Sequence, residues 1–188
     1  MKIDKITLKR LQLLYPVFGD LVYSFILQFY SEHEIKICIS QTLRTFKDQE
    51  NLYAQGRTQG GRVVTNAMPG DSFHNYGLAA DIAFVGIDPY LEKKSKSEQD
   101  FYWMEVGRIA KINGLEWGGD FKSFKDRPHM QMSFGLTIAQ IKADFNKGGL
   151  FSLWERLDKI NNRPYGKGYI GDYVFYRPTC PKNGERLN

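Results

Sequence analysis

The sequence predicts an α+β protein with a small antiparallel sheet and flanking helices. Two helical segments come first along the chain, and short strands mixed with further helices follow, an order typical of this class. The chain has 188 residues, of which 42% are hydrophobic and 25% are charged, close to an ordinary one-domain globular protein. This composition argues against a disordered, collagen-like or coiled-coil chain.

The first third of the chain predicts three helices, at residues 5–15, 17–31 and 45–55, and one strand, at residues 35–39. Pro16 ends the first helix because proline lacks the N–H that the helical hydrogen-bond pattern needs. The strand shows strict alternation of apolar and polar residues. Thr45 and Asp48 have the spacing of a helix N-cap, so we expect the third helix to begin there.

The rest of the chain predicts a short strand at 62–65, a strand at 78–85, a helix at 97–113, short strands at 115–117 and 128–134, and helices at 137–148 and 150–160. Ser97 and Asp100 are spaced as a capping box at the start of the long helix. Residues 162–188 are rich in proline and glycine and predict an irregular segment. We therefore expect a main domain at 1–148 and a helix with an irregular C-terminal extension at 149–188.

Net charge and cysteine content bear on two questions, whether the chain binds nucleic acid and in which redox compartment it lies. The net charge of +5 favours anionic surroundings only mildly, and no nucleic-acid motif is present, so we expect no nucleic-acid partner. The two cysteines, Cys38 and Cys180, indicate a reducing compartment, with a bridge between them as the alternative.

The N-terminal segment is expected to be neither a signal peptide nor a membrane span. The opening MKIDKITLKR carries too many charges for a secretory signal. The apolar stretch at 11–30 is interrupted by Pro16, Gly19 and Asp20, which excludes a membrane helix there. We therefore expect synthesis in the cytoplasm without a signal peptide.

The chain has three histidines, and two of them lie close to acidic residues in turn-rich sequence. His74 precedes Asp81 in the chain, and His129 follows Asp126. His33 instead lies in a polar helix end and is expected to be a solvated surface residue. His74 and His129 are therefore the candidates for chemistry.

Asp81 is out of place in the predicted strand at 78–85, whose other residues are apolar. Burial of an ionised carboxylate without a partner is strongly unfavourable, and a divalent cation removes that penalty. Zinc binds imidazole nitrogen and carboxylate oxygen, and catalytic sites use three such ligands. His74, Asp81 and His129 supply such a set. From residue types alone, an Asp81 that caps a turn beside two ordinary histidines is the alternative.

The motifs around these residues form a wider pattern. S-x-H-x-x-G-x-A-x-D runs from Ser72 to Asp81, and W-G-G-x-F at 117–121 and D-x-P-H at 126–129 follow it. In this order they resemble the VanY-type D-alanyl-D-alanine carboxypeptidase family of zinc peptidases, in particular its branch of phage L-alanyl-D-glutamate endolysins. The resemblance covers roughly residues 5–145. It implies a hedgehog-like peptidase fold and a zinc peptidase domain as the main domain.

The resemblance also implies the residues of the metal centre. It makes His74, Asp81 and His129 the zinc ligands. It makes Asp126 the general base, which takes a proton from the attacking water and passes it to the leaving amine. Without the resemblance, Asp126 is better interpreted as a loop carboxylate paired with Arg127.

Three further residues receive roles from the resemblance. Arg44 is implied to support the scissile carbonyl or the developing oxyanion, with a surface salt bridge as the alternative. Ser72 is implied to orient the ligand loop or to contact substrate. Trp117 is implied to be either a wall of the substrate groove or a core residue.

The resemblance implies a peptidase of peptidoglycan stem peptides. Many members of the family carry glutamate as the base, and Asp126 is similar to the endolysin branch, which favours an L-alanyl-D-glutamate endopeptidase. We expect a zinc-containing monomer that lyses the cell wall after phage- or lysis-dependent release.

Two alternatives stay open at this point. A D-alanyl-D-alanine carboxypeptidase would need a second cation for the free carboxylate of its substrate, and Arg57, Arg62 and Arg127 are candidates. A non-catalytic zinc-binding module would need neither Asp126 nor Arg44.

Overall fold

The computed structural model describes residues 2–162, 167–170 and 173–176. The helices in these ranges are α1 (Lys5–Leu11), α2 (Pro16–His33), α3 (Phe46–Ala54), α4 (Lys96–Ile112) and α5 (Ile138–Ile160). The strands are β1 (Lys36–Gln41), β2 (Ala79–Val85), β3 (Glu116–Trp117), β4 (His129–Gln131), β5 (Lys167–Ile170) and β6 (Tyr173–Tyr176). Two 3₁₀ helices span Phe73–Tyr76 and Gly118–Asp120. The predicted α+β class is confirmed.

Three predicted details are wrong. Residues 62–65 form a loop and not a strand. Helix α4 begins earlier than expected, because the capping box is formed by Ser95 and Glu98 and not by Ser97 and Asp100. The segment expected to be irregular contains β5 and β6, which pair as a two-stranded antiparallel sheet.

The main sheet has four antiparallel strands in the order β1-β2-β4-β3. Strand β2 is therefore central and pairs with β1 on one side and with β4 on the other. In this register Asp81 lies opposite His129 on β4 and opposite Gln41 on β1. The pairing of two strands distant in sequence thus sets two predicted site residues side by side.

Helix α2 provides much of the core. Its buried apolar residues recur every three or four positions, as expected for one face of a helix packed against other elements; they are Phe18, Val22, Phe25, Ile26 and Phe29. This helix packs against β1 and against α4. Tyr15 and Pro16 fix where α2 begins, with the proline in the first turn, where its missing N–H is tolerated.

Helix α5 bends at Gly148 and Gly149, whose backbone angles are not helical. The half of α5 after the bend packs into the core, where Leu153, Trp154 and Leu157 are buried. The Trp154 indole N–H donates to the carbonyl of Tyr76 over 2.9 Å. The predicted helix at 150–160 therefore packs against the 3₁₀ helix that carries His74.

The structure also bears on the question of a membrane span and on the two cysteines. Within the described ranges, no helix is both long and apolar enough to cross a membrane. Cys38 lies half-buried in β1 as a free thiol. Cys180, and with it the alternative of a bridge, lies outside the described residues.

We expect Trp154→Ala to lower the free energy of unfolding by about 3–5 kcal/mol, because it removes a large buried ring and the hydrogen bond to Tyr76. Ile160→Ala, on an exposed position of the same helix, should change it by less than about 0.5 kcal/mol. Urea unfolding of both variants measures the two values. Equal small effects would contradict the packing of this helix into the core.

Candidate metal centre

Three side chains from three separate elements converge on one point. His74 comes from the 3₁₀ helix Phe73–Tyr76, Asp81 from β2 and His129 from β4. Asp81 Oδ1 lies 3.2 Å from His74 Nε2 and 3.0 Å from His129 Nδ1. The two imidazole nitrogens are 3.2 Å apart. The three residues thus form a group that could hold a metal ion.

The His74 ring is oriented by a backbone carbonyl. Its Nδ1 lies 2.8 Å from the carbonyl oxygen of Thr42. A carbonyl can only accept, so Nδ1 carries the proton and Nε2 presents its lone pair to the centre in the neutral ring. The side chain is almost completely buried, which holds this orientation.

The His129 ring is oriented by a chain of two side chains. The Gln131 amide nitrogen donates to Glu116 over 2.9 Å, which turns the amide oxygen toward His129 Nε2 at 3.0 Å. His129 Nε2 therefore donates, and Nδ1 presents its lone pair to the centre. Hydrogen bonds at the outer nitrogen of a histidine are the usual support of a metal ligand.

The electrostatics of the cluster reflect three electron-rich atoms in a small space. Burial raises the pKa of Asp81, but the charges and hydrogen bonds of His74 and His129 outweigh it, so the pKa lies well below its usual range. Burial lowers the pKa of His129, and the hydrogen bond and charge of Asp81 outweigh that effect and raise it. The centre therefore favours a carboxylate surrounded by positive charge, which a cation can supply.

Asp126 lies beside this centre on the loop before β4. Burial raises its pKa, and the negative charge of Asp81 raises it further, against the opposing effects of His129, His74 and Arg44. Its backbone N–H donates to Gly118 over 3.0 Å. A Cβ at Gly118 would lie only 2.4 Å from the Asp126 carbonyl oxygen, so the glycine permits this close approach.

Arg44 also faces the centre. Its Nη2 lies 3.7 Å from Asp81 Oδ2, and its side chain is only 12% exposed. Burial lowers its pKa, and the charges of Asp81, Asp126 and Asp48 oppose that shift. Arg44 is therefore not part of a surface salt bridge of the ordinary kind but a partly desolvated cation beside the candidate centre.

Trp117 and Ser72 lie at the edges of the site. The Trp117 side chain is buried, and its indole N–H donates to the Arg127 carbonyl over 2.7 Å. A Cβ at Gly107 or Gly119 would overlap its ring. Of the two alternatives for Trp117, this packing favours the core. Ser72 is buried and directly precedes the 3₁₀ helix, which agrees with orientation of the ligand loop.

Several residues that support the site received no role from the motifs. They are Thr42 and Gln131 with Glu116, which orient the histidines, and Asn75, which ties together the segments before and after the site. The buried Asn75 amide donates to the Arg44 carbonyl and accepts from the Gly70 N–H, at 2.9 and 3.0 Å. Its place directly after His74 was the one available signal.

His33 occupies a different environment from the solvated surface that was predicted. It is half-buried, and its Nε2 lies 3.1 Å from Glu105. Glu32 lies in the same cluster. Arg108 forms ion pairs with both glutamates, so their negative charge is already compensated. This second cluster is therefore a poorer cation site than the His74–Asp81–His129 group.

The segment that carries the candidate centre matches a known protein family. Residues 65–132 match the sequence profile of a family described as D-alanyl-D-alanine carboxypeptidase. The predicted resemblance is confirmed. The matched segment contains His74, Asp81, Asp126 and His129, whereas Arg44 precedes it.

Two individual proteins are also similar to the chain. Peptidoglycan L-alanyl-D-glutamate endopeptidase CwlK of Bacillus subtilis (strain 168) is 46% identical over 102 residues, which cover 52% of this chain and 61% of that relative. The chain thus spans less than two thirds of the length of this relative. The crystal structure of the Serratia marcescens L-Ala D-Glu endopeptidase ChiX aligns with a TM-score of 0.49 and 20% identity, over 71% of this chain and 91% of that one.

Proposed function

We propose that this chain is a zinc metallopeptidase that cleaves peptidoglycan stem peptides between L-alanine and D-glutamate. The observation that carries the proposal is the convergence of His74, Asp81 and His129 on one point, with Asp126 and Arg44 beside it. The 46% identity to a peptidoglycan L-alanyl-D-glutamate endopeptidase supports the choice of substrate.

The donor set of the centre fits zinc. Two neutral imidazoles and one carboxylate are typical ligands of catalytic zinc, with a further position left for water or substrate. The three donor atoms lie 3.0–3.2 Å apart. Ligand bonds of about 2.1 Å in a tetrahedron would separate the atoms by about 3.4 Å, so a shift of a few tenths of an ångström would suffice. His74, Asp81 and His129 would hold the ion.

The neighbouring residues fit hydrolysis of a peptide bond. When bound, zinc would polarise the scissile carbonyl and make the attacking water a stronger acid. Asp126, a half-buried carboxylate beside the centre, would take the proton of that water and pass it to the leaving amine. Arg44 would place a fixed positive charge where negative charge develops on the carbonyl oxygen.

The surroundings of the site favour an endopeptidase over a carboxypeptidase. A carboxypeptidase needs a cation for the free carboxylate of its substrate. Arg57 donates instead to the carbonyls of Tyr53 and Thr65 and to Asn66. Arg127 donates to Asp100 on α4. Two of the three candidate cations are therefore committed to other partners.

Three further points complete the proposal. A module that only binds metal has no use for Asp126 and Arg44 beside the ion. We place the peptidase domain at 1–148, with the helix of residues 150–160 as a brace against it. We further propose that the chain acts as a monomer on the cell wall, after phage- or lysis-dependent release.

We expect about one zinc ion per chain after gentle purification, because His74, Asp81 and His129 together form one three-ligand site. His129→Ala should lose both zinc and activity, since two ligands hold the ion poorly. His33→Ala is the matched control and should keep its zinc, because the cluster of His33 is compensated by Arg108. Elemental analysis measures the stoichiometry. Loss of zinc in the control alone would move the metal to the second cluster.

Asp126→Asn should separate catalysis from metal binding. Asparagine preserves size but cannot accept the proton of water, and removal of a general base lowers the rate by about 10²–10⁴-fold. The variant should keep its zinc and its thermal stability. Turnover on purified peptidoglycan and zinc content are measured on the same preparation. Loss of zinc would make Asp126 a ligand, and full activity would place the base elsewhere.

The bond that is cleaved follows from the termini of the products. Digestion of defined peptidoglycan should release fragments with a new C-terminal L-alanine and a new N-terminal D-glutamate, which mass spectrometry identifies. Release of free D-alanine alone would instead establish the carboxypeptidase. Absence of any fragments from several wall types, with zinc present, would favour the non-catalytic module.

A further inference from the structure

We infer that Gln49 is a positioning residue that sets the direction of the Arg44 guanidinium toward the candidate metal centre. The inference rests on the proposed function, because it gives Gln49 a task only if Arg44 serves in peptide hydrolysis. Gln49 lies on α3 and is not a metal ligand or a contact of the attacking water.

The Gln49 amide is held in a single orientation. The residue is completely buried. Its Nε2 donates to the Ala67 carbonyl over 2.8 Å, and its Oε1 accepts from Arg44 Nη1 over 2.8 Å. Because the Ala67 carbonyl can only accept, the amide nitrogen must face it and the amide oxygen must face Arg44.

This contact fixes the far end of Arg44 while the backbone fixes its near end. The Arg44 N–H donates to the His74 carbonyl over 2.9 Å, and its own carbonyl accepts from Asn75. With Nη1 committed to Gln49, Nη2 is left to face Asp81 at 3.7 Å. The guanidinium is rigid and planar, so holding Nη1 on Gln49 and the backbone on His74 and Asn75 limits where Nη2 can lie.

The spacing to Asp81 shows why this restraint matters. At 3.7 Å the Arg44 guanidinium is outside hydrogen-bond distance of the Asp81 carboxylate. Without Gln49, the long arginine side chain would be free to move onto Asp81 or away from the centre. Either movement displaces the positive charge from the place where the oxyanion develops, and small misplacements at such a site strongly reduce rate.

A double-mutant cycle tests whether Gln49 acts through Arg44. Arg44→Met should lower kcat on a defined stem peptide by about 10²-fold, as expected when one oxyanion-stabilising group is removed. Gln49→Met should lower kcat by roughly tenfold or more, since a misplaced group retains part of its effect. The double variant should be no slower than Arg44→Met alone, because Gln49 has nothing left to position. Zinc content should stay unchanged in all three.

Thr7→Val provides the matched control for loss of a buried hydrogen bond. Thr7 lies on α1, outside the candidate centre, and is also completely buried. Its hydroxyl accepts a hydrogen bond from the Ile39 N–H over 3.2 Å. This variant should melt at a lower temperature but keep full kcat. If Gln49→Met does not fold, Gln49→Asn replaces it, since the shorter amide cannot reach both partners.

The outcomes separate this inference from the proposed function. Multiplicative losses in the double variant would overturn the inference, because Gln49 would then act independently of Arg44. Full activity of Arg44→Met or of the Gln49 variant would also overturn it, while cleavage of peptidoglycan by the unaltered chain would keep the proposed function. No cleavage by the unaltered, zinc-loaded chain would reject the proposed function itself.

Discussion

The structure depends on one charged group in an otherwise apolar strand. Asp81 lies in the central strand of the sheet, between residues that are completely buried. Its carboxylate is stable there because two histidines, from the opposite strand and from a 3₁₀ helix, face it within 3.2 Å. Removal of one partner from such a buried group is strongly unfavourable. The strand register, the 3₁₀ helix and the loop before β4 all serve to bring these partners together.

The groups around the histidines make this cluster a candidate metal site. The Thr42 carbonyl and the Gln131–Glu116 pair occupy the outer ring nitrogens, so that both lone pairs point inward. The same outer contacts connect β3, β4 and the residue directly after β1 to the centre.

Glycines beside large rings place the second carboxylate. Trp117 packs where side chains at Gly107 and Gly119 would collide with it, and its indole holds the Arg127 carbonyl. Gly118 lets the Asp126 backbone approach closely. The loop that carries Asp126 is thus fixed on both sides of that residue. The Trp154 indole also holds the carbonyl of Tyr76, two residues after His74. The packing of the core and the placement of the candidate site residues are therefore coupled in this domain.

Local sequence determined most elements, because periodicity and capping are local. The strand with Asp81, the Thr45 cap and the break in α5 near Gly148 were all predicted from short spacings. Local sequence also identified His74, Asp81 and His129 as candidate ligands, whereas Asp126 became a candidate only through the family resemblance.

Tertiary structure alone decided which groups support them. No motif gives Gln49, Gln131 or Thr42 a role, because their hydrogen bonds reach across separate elements or depend on the direction of a side chain. The burial of Trp117 and the ion pairs of His33 were likewise settled by packing between distant segments, because burial is a property of the whole fold and not of any short stretch of chain.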